Sequence, residues 1–222
     1  MKKIKTKILK INSEKPDKII IKEVVQSLKK GLVAIFPTDT IYGIGAPILN
    51  KKGVLKIYSL KKRSQNKPLL ILIANKKDLK QYVKKIPLIA EKLIKKFWPG
   101  PLTLIFEKTD KIPDYIVGGG QNIAIRLPEN KFLISLIKKL EQPLIATSAN
   151  LTGKKSPISA QETFKDFLDR VEIIVDGDKT KYKKESTIID LTQDPPIFIR
   201  EGAMKTKLKQ FISFLLSKNK NY

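Results

Sequence analysis

Two side chains that carry much of enzyme chemistry are missing from this sequence of 222 residues: it has neither cysteine nor histidine. Without Cys there is no disulfide framework, no thiolate nucleophile and no thiolate metal site. Without His, the commonest general base and the commonest metal ligand are both gone. Any chemistry therefore rests on Lys, Arg, carboxylates, hydroxyls and backbone groups. Long apolar runs are missing too, since none approaches the ~18 residues of a membrane span. The stretch from Ile4 to Ile11 alternates apolar and charged residues, so no signal peptide is expected and the cytoplasm is the expected compartment.

Arginine is scarce. The formal net charge is +24, yet only Arg63, Arg126, Arg170 and Arg200 are Arg and every other cation is Lys. The Lys residues are scattered over the whole chain, which reads as solvated surface more than as one polyanion-binding stripe. Arg is hard to replace where planar, bidentate contact with a carboxylate or phosphate is needed. Arg63, Arg126 and Arg200 stand beside turns rich in Pro, Gly or Ser and are site candidates. Arg170 lies in an amphipathic run and reads as a surface helix charge.

What is present fits one domain, 1–222, with an apolar fraction of 41%, enough for a sizeable core. Helical periodicity is predicted over Lys18–Lys30, Gly53–Lys62, Leu79–Val83, Leu88–Phe97, Lys131–Leu140 and Ala160–Leu168, with a closing helix near 204–217. Strands are predicted over Leu32–Phe36, Leu69–Ile73, Leu102–Phe106, Ile123–Arg126, Leu144–Thr147, Glu172–Val175, Thr187–Leu191 and Ile197–Arg200. Gly118-Gly119-Gly120 reads as a turn, and Lys179–Glu185 as a charged loop with the composition of a mobile segment. This mixture predicts an α/β fold around a mixed, twisted sheet flanked by helices.

Five polar clusters follow strands or open helices, where ligand sites of α/β proteins gather. In Phe36–Gly45 a strand ends at Pro37, releases Thr38 and Thr40, and meets Gly43 and Gly45. In Lys61–Leu69 the cations Lys61, Arg63 and Lys67 can converge on phosphate. Asn122–Pro128 ends an apolar strand on Arg126. Ala146–Pro157 crowds Thr147, Ser148, Asn150, Thr152 and Ser156 around Gly153, without the spaced glycine of a Walker loop. Ser186–Asp190 pairs with Ile199–Ala203 as a hairpin-like edge with an exposed Ser and Arg. Each cluster alone also fits a plain strand end, turn or helix cap.

Taken in order, the clusters resemble the YrdC-like family. The PTxTVYGLG segment of that family is similar to Pro37–Gly45, its KxR…PL to Lys61–Leu69, and its FWPGPLT to Phe97–Thr103, letter for letter. Its RxP resembles Arg126–Pro128, its SAN-x-(S/T)-G resembles Ser148–Gly153, and its STVVD and RxG resemble Ser186–Asp190 and Arg200–Gly202. The likeness runs from about Gly31 to Gly202, and the motif-bearing part from about residue 19 to 203.

The resemblance implies a short, single-domain threonylcarbamoyl-AMP synthase serving tRNA modification. It implies that Lys61, Arg63, Lys67, Asn122, Ser148, Asn150, Ser156 and Arg200 hold ATP, with Lys61, Arg63, Ser148 and Asn150 at the reacting group. Thr38, Thr40, Arg126, the Ala146 backbone and Ser186 would hold L-threonine. Bicarbonate is the third substrate. Mg²⁺ is expected to enter with ATP, with no dedicated metal cluster and no organic cofactor. The product would pass to the machinery that attaches it to tRNA, with direct tRNA contact left open. Two positions depart from the family pattern: Ser64 stands where Pro is frequent, and Leu72 where some relatives carry His. A non-synthase paralogue of the same fold, or a double-stranded RNA or tRNA-binding module, remain alternatives at this point.

Overall fold

The structure is a computed structural model that describes residues 4–218. Where one mixed sheet is expected, the chain builds two. Strand β1 (Lys7–Lys10) buries Leu9 and leaves Ile8 exposed, an alternation the sequence shows but which predicts no strand on its own. Helix α1 (Lys18–Lys29) starts where the Asp17 carboxylate accepts from the Ile19 N–H, buries Ile21, Val24, Val25 and Leu28 at helical spacing, and stops before Gly31 at φ +86°. Strands β2 (Ala34–Pro37) and β3 (Tyr42–Gly45) pair antiparallel across Thr38–Ile41. The second half of a segment read as loop is therefore strand. Helix α2 (Lys51–Leu60) begins two residues earlier than predicted, because the Asn50 side chain caps the Gly53 N–H at 3.0 Å.

After α2 come β4 (Leu70–Leu72) and, where an α-helix is predicted at Leu79–Val83, a 3₁₀ segment over Lys76–Gln81. Helix α3 (Leu88–Phe97) has its predicted bounds, and β5 (Leu102–Glu107) follows. The Gly118–Gly120 turn is preceded by a one-turn helix α4 (Asp114–Val117). Then come β6 (Asn122–Arg126), α5 (Lys131–Leu140), β7 (Leu144–Ile145), β8 (Thr147–Ser148), α6 (Gln161–Phe167), β9 (Ile173–Asp176), β10 (Thr187–Asp190), β11 (Ile197–Arg200) and α7 (Lys205–Lys218).

The first sheet runs β1-β9-β2-β3-β8 and the second β11-β10-β5-β6-β4-β7. The predicted strand Leu144–Thr147 is divided between them. Leu144 and Ile145 pair with β4 in the second sheet, Thr147 and Ser148 pair with β3 in the first, and Ala146 is the crossing residue. A period-2 pattern too short to reveal this break gives the sequence no way to signal it.

One core cluster joins Val54 and Ile57 of α2, Leu93 and Ile94 of α3, and the inward side chains of the second sheet, such as Leu104, Ile123, Ile125 and Ile189. The other lays α1 and α5 side by side on the first sheet, with Val24, Leu28, Phe132 and Leu136 against Phe36, Ile173 and Val175. Successive strand residues point to opposite faces, so burying Ile123 and Ile125 leaves Asn122, Ala124 and Arg126 on the other face of β6. On the neighbouring β4 the same face joins the α1 and α5 cluster through Leu70 and Leu72. No helix among the described residues is long and apolar enough to cross a membrane.

Candidate active site

This face of the second sheet gives the floor of a cleft of about 390 Å³. Leu70 and Leu72 of β4, Ala124 and Arg126 of β6, Ile105 of β5, and Ile188 and Asp190 of β10 form it. The opposing wall comes from the first sheet and its loops, through Thr38, Thr40, Gly43, Thr147 and Ser148. Arg63 and Arg200 stand in the walls as well. Three scarce guanidinium groups therefore surround a largely apolar floor, an arrangement suited to an anionic ligand with an apolar body.

Arg126 is buried at the end of β6. Its Nη1 donates to Thr40 Oγ1 at 2.8 Å and its Nη2 to Asp39 Oδ1 at 2.9 Å. Nε of Arg126 and Oδ2 of Asp39 are buried without a partner. The loop presenting these groups is braced by its own hydrogen bonds. Thr38 Oγ1 donates to the Ile41 carbonyl, lies 2.8 Å from Thr40 Oγ1 and accepts from the Thr40 N–H.

Arg200 is held from below. Its Nε donates to the Ser186 carbonyl and its Nη2 to Ser186 Oγ, both at 2.9 Å, while Ser186 Oγ also lies 2.7 Å from Thr103 Oγ1. Ser186 is thus buried rather than exposed as its local sequence suggests. Burial pushes the Arg200 pKa down, and the nearby Glu185 carboxylate works against that shift. The FWPGPLT segment does its work here. Trp98 Nε1 donates to the Leu102 carbonyl at 2.7 Å and Gly100 N–H to the Leu127 carbonyl at 2.9 Å, which sets Thr103 under Ser186 and anchors the strand end after Arg126. None of Phe97 to Thr103 lines the cleft.

Arg63 follows α2, with Nη2 donating to the Pro68 carbonyl at 2.8 Å and Nε buried and unpaired. Lys61 does not reach the cleft wall. Its Nζ is buried and donates to the carbonyls of Ser148 and Asn150 and to Asn150 Oδ1. Burial, and next the Arg63 charge, push its pKa down to about 7. Asn150 completes this support by donating through Nδ2 to the Lys154 carbonyl. Lys61 and Asn150 therefore shape the loop that presents Ser148, whose own backbone pairs with Gly43.

The cleft brings together Thr38, Thr40, Arg63, Asn122, Arg126, Ala146, Ser148, Ser186 and Arg200. Lys61, Lys67, Asn150 and Ser156 are not among its lining residues. Lys67 is exposed, and Ser156 bonds the Glu185 carboxylate, lowering that group's pKa. Residues not singled out from sequence also belong to the site: Asp39, Thr103, Ile105, Ile188, Asp190 and Ile199. Asp39 sits inside a quoted motif; the isoleucines carry no local signal, because only the sheet decides which face of a strand they take.

The loop Lys179–Glu185 is tied down instead of free. The Tyr182 N–H donates to the Asp39 carbonyl, Thr180 Oγ1 to the Thr40 carbonyl, and Tyr182 OH to Glu129 Oε2. It acts as a strap across the back of the Thr38–Thr40 loop.

Fold and cleft together define an α/β protein with an arginine-walled cleft between two sheets. The chain matches the Sua5/YciO/YrdC family model, described as "Telomere recombination", over residues 26–202. The chain belongs to this family. A threonylcarbamoyl-AMP synthase of Pyrococcus abyssi is 42% identical over 177 residues, covering 80% of this chain and 52% of that protein. This chain thus spans about half the length of that curated relative. A relative from Methanocaldococcus jannaschii is 39% identical over 205 residues, covering 90% of this chain and 95% of its own length. Among solved structures, P. abyssi Sua5 complexed with L-threonine superposes with a TM-score of 0.86 at 40% identity, covering 89% of this chain and 58% of that one.

Proposed function

We propose that this chain is an L-threonylcarbamoyladenylate synthase, a nucleotidyltransferase that condenses L-threonine, bicarbonate and ATP for threonylcarbamoyladenosine modification of tRNA in the cytoplasm. The observation that carries the reading is the convergence of Arg63, Arg126, Ser148 and Arg200 on one cleft, in a family whose P. abyssi member is seen with L-threonine.

The chemistry needs neither His nor Cys. The threonine amine and bicarbonate give the N-carboxylate with loss of water. An oxygen of that carbamate attacks the α-phosphorus of ATP, the bond to the β-phosphate oxygen breaks, and pyrophosphate leaves. Such a transfer depends on positioning and charge neutralisation more than on covalent help from the protein. Arg126 suits the amino-acid carboxylate, with Thr40 bonded to it and Ser186 lining the same cleft. Arg63 and Arg200 suit the phosphate chain, and Ser148 adds a hydroxyl-bearing side chain to the same cleft. Lys61 and Asn150 act in this reading by holding the Ser148 loop.

Mg²⁺ belongs to the substrate as MgATP. No group of three or more carboxylate, His or Cys side chains able to hold a metal occurs among the described residues, and a hydrated ion carried by phosphates needs none. The apolar floor of Leu70, Leu72, Ile105 and Ile188 excludes water, which suits a labile mixed anhydride. The product would pass to the tRNA threonylcarbamoyl-transfer machinery.

The test is omission. Purified protein with L-threonine, bicarbonate, ATP and Mg²⁺ is expected to release pyrophosphate only when all four are present. Release that persists without L-threonine rejects the substrate assignment.

A further inference from the structure

The pairing of Asp39 with Arg126 is not that of an ion pair built only to hold a core. A scaffold pair closes as a fork, with two parallel N–H···O bonds that engage both carboxylate oxygens. Here Nη2 goes to Asp39 Oδ1, but Nη1 turns aside to Thr40 Oγ1. The remaining oxygen of Asp39 and the Nε of Arg126 are left buried and unpaired.

Unpaired buried polar atoms are costly, so such a geometry persists only where the surroundings impose it. They do so here. The Asp39 carbonyl accepts from Tyr182 N–H at 2.8 Å, the Thr40 carbonyl accepts from Thr180 Oγ1 at 2.8 Å, and Thr38 Oγ1 accepts from Thr40 N–H at 3.0 Å. Two acceptors on consecutive residues of one braced loop therefore fix the plane of the guanidinium. Four buried side-chain polar atoms lack partners among the described residues, and three of them belong to Asp39, Arg126 and Arg63. Arg126 and Arg63 line the cleft, whereas Asp39 and Ser13, the fourth, line the neighbouring hollow.

Asp39 itself does not line the cleft. It faces the neighbouring hollow formed by residues such as Ser13, Glu129 and Lys181. Its side chain is linked to the cleft through Arg126.

We propose that Asp39 is the positioning residue for Arg126: it anchors one end of the guanidinium, so that this cleft-lining group is held in one orientation towards the carboxylate of a small amino acid. The proposal rests on the functional reading above and adds to it a residue that touches no substrate. Its anionic charge keeps the buried guanidinium compensated before the ligand arrives, and its single-oxygen grip leaves the arginine's remaining donors unspent.

The test titrates wild type, Asp39→Asn and Asp39→Glu with L-threonine and, separately, with MgATP by calorimetry, and follows pyrophosphate release with each substrate varied. In Asp39→Asn the KM and Kd for L-threonine are expected to rise by about tenfold or more, with those for ATP within about twofold and kcat at saturating L-threonine within about threefold. A purely structural role would move thermal stability and both affinities together. Asp39→Glu keeps the charge but displaces it by one methylene. It serves where Asp39→Asn fails to fold, and is expected to show the same selective loss for L-threonine. A variant that folds and binds L-threonine like wild type overturns the proposal while leaving the functional reading intact, as does a variant that loses both ligands equally. A wild-type protein that binds MgATP and ignores L-threonine overturns both.

Discussion

Ser186 grips Arg200 at two atoms, its carbonyl oxygen taking the Nε–H and its hydroxyl the Nη2–H, while Thr103 braces the same hydroxyl from below. Removing that hydroxyl in Ser186→Ala leaves one of the two bonds to Arg200 and strands Thr103 Oγ1 in a buried place. The variant is expected to lose about 1–2 kcal/mol of stability. Its KM for ATP should rise through the loosened Arg200, and that for L-threonine through the lost hydroxyl at the cleft wall. Urea denaturation and steady-state pyrophosphate release check the two parts separately.

Arg63 offers the sharpest separation of enzyme from scaffold. It lines the cleft, and its guanidinium donates to the Pro68 carbonyl. Arg63→Ala is expected to cut ATP-dependent turnover by about a hundredfold or more, the scale of losing a charge-neutralising donor. Circular dichroism should stay unchanged, and melting should shift by only a few degrees. An RNA-binding protein that merely used its basic surface would keep its function in this variant and lose affinity steeply with salt.

Lys61 makes a prediction about pH. Its folded pKa is pushed down to about 7 from 10.5, so between those values the unfolded chain binds the extra proton. Stability contributed at this site therefore rises with pH from about 7 towards 10.5 and is lowest below 7, where both states are protonated. Denaturation of wild type at pH 7 and pH 9.5 should show this rise. Lys61→Met, whatever its baseline stability, should lose that component of the slope. A slope unchanged by the substitution would show that the carbonyl oxygens around Nζ hold it charged.

Gly202 and Gly45 are demanded by space. A Cβ on Gly202 would lie 2.2 Å from the Glu185 carbonyl oxygen and 2.4 Å from backbone atoms of Ser186; on Gly45 it would lie 2.0 Å from the Ile145 carbonyl oxygen. The obstacles are backbone, so neither clash relaxes by a rotamer change. Gly45→Ala and Gly202→Ala are each expected to cost about 3 kcal/mol or more. Gly202→Ala should also raise the KM for ATP, since it displaces the Ser186 carbonyl that orients Arg200. Differential scanning calorimetry with kinetics on the surviving fraction checks both.

Much of the fold was legible where the hydrophobic period was long. Helices α3 and α5 and strand β11 occupy their predicted bounds, because caps such as Asn130 and uninterrupted apolar spacing fix them locally. For the candidate site the sequence offers three arginines beside turns and a set of ordered motifs, and the structure brings Arg63, Arg126, Ser148 and Arg200 from them to one cleft. What was not legible was which polar residues face the cleft. Lys61 and Asn150 read as ligand contacts, yet their side chains are spent on carbonyls beneath the Ser148 loop. Asp39 and Thr103 act through Arg126 and Ser186, and a neighbour contributed from a distant part of the chain has no local signature. The loop Lys179–Glu185 has a mobile composition, but Thr180 and Tyr182 find partners more than a hundred residues away at Thr40 and Asp39.

By itself, the sequence determined the α/β alternation, the absence of imidazole and thiol chemistry, and the set of cations and hydroxyls from which a site had to be assembled. Only the tertiary structure decided that two sheets form instead of one, with the chain crossing between them at Ala146. It also decided that one face of the second sheet becomes a cleft floor. Strand pairing and facial burial are settled between segments far apart in sequence, and the free energy that selects them comes from the joined surfaces, which no single stretch of residues contains.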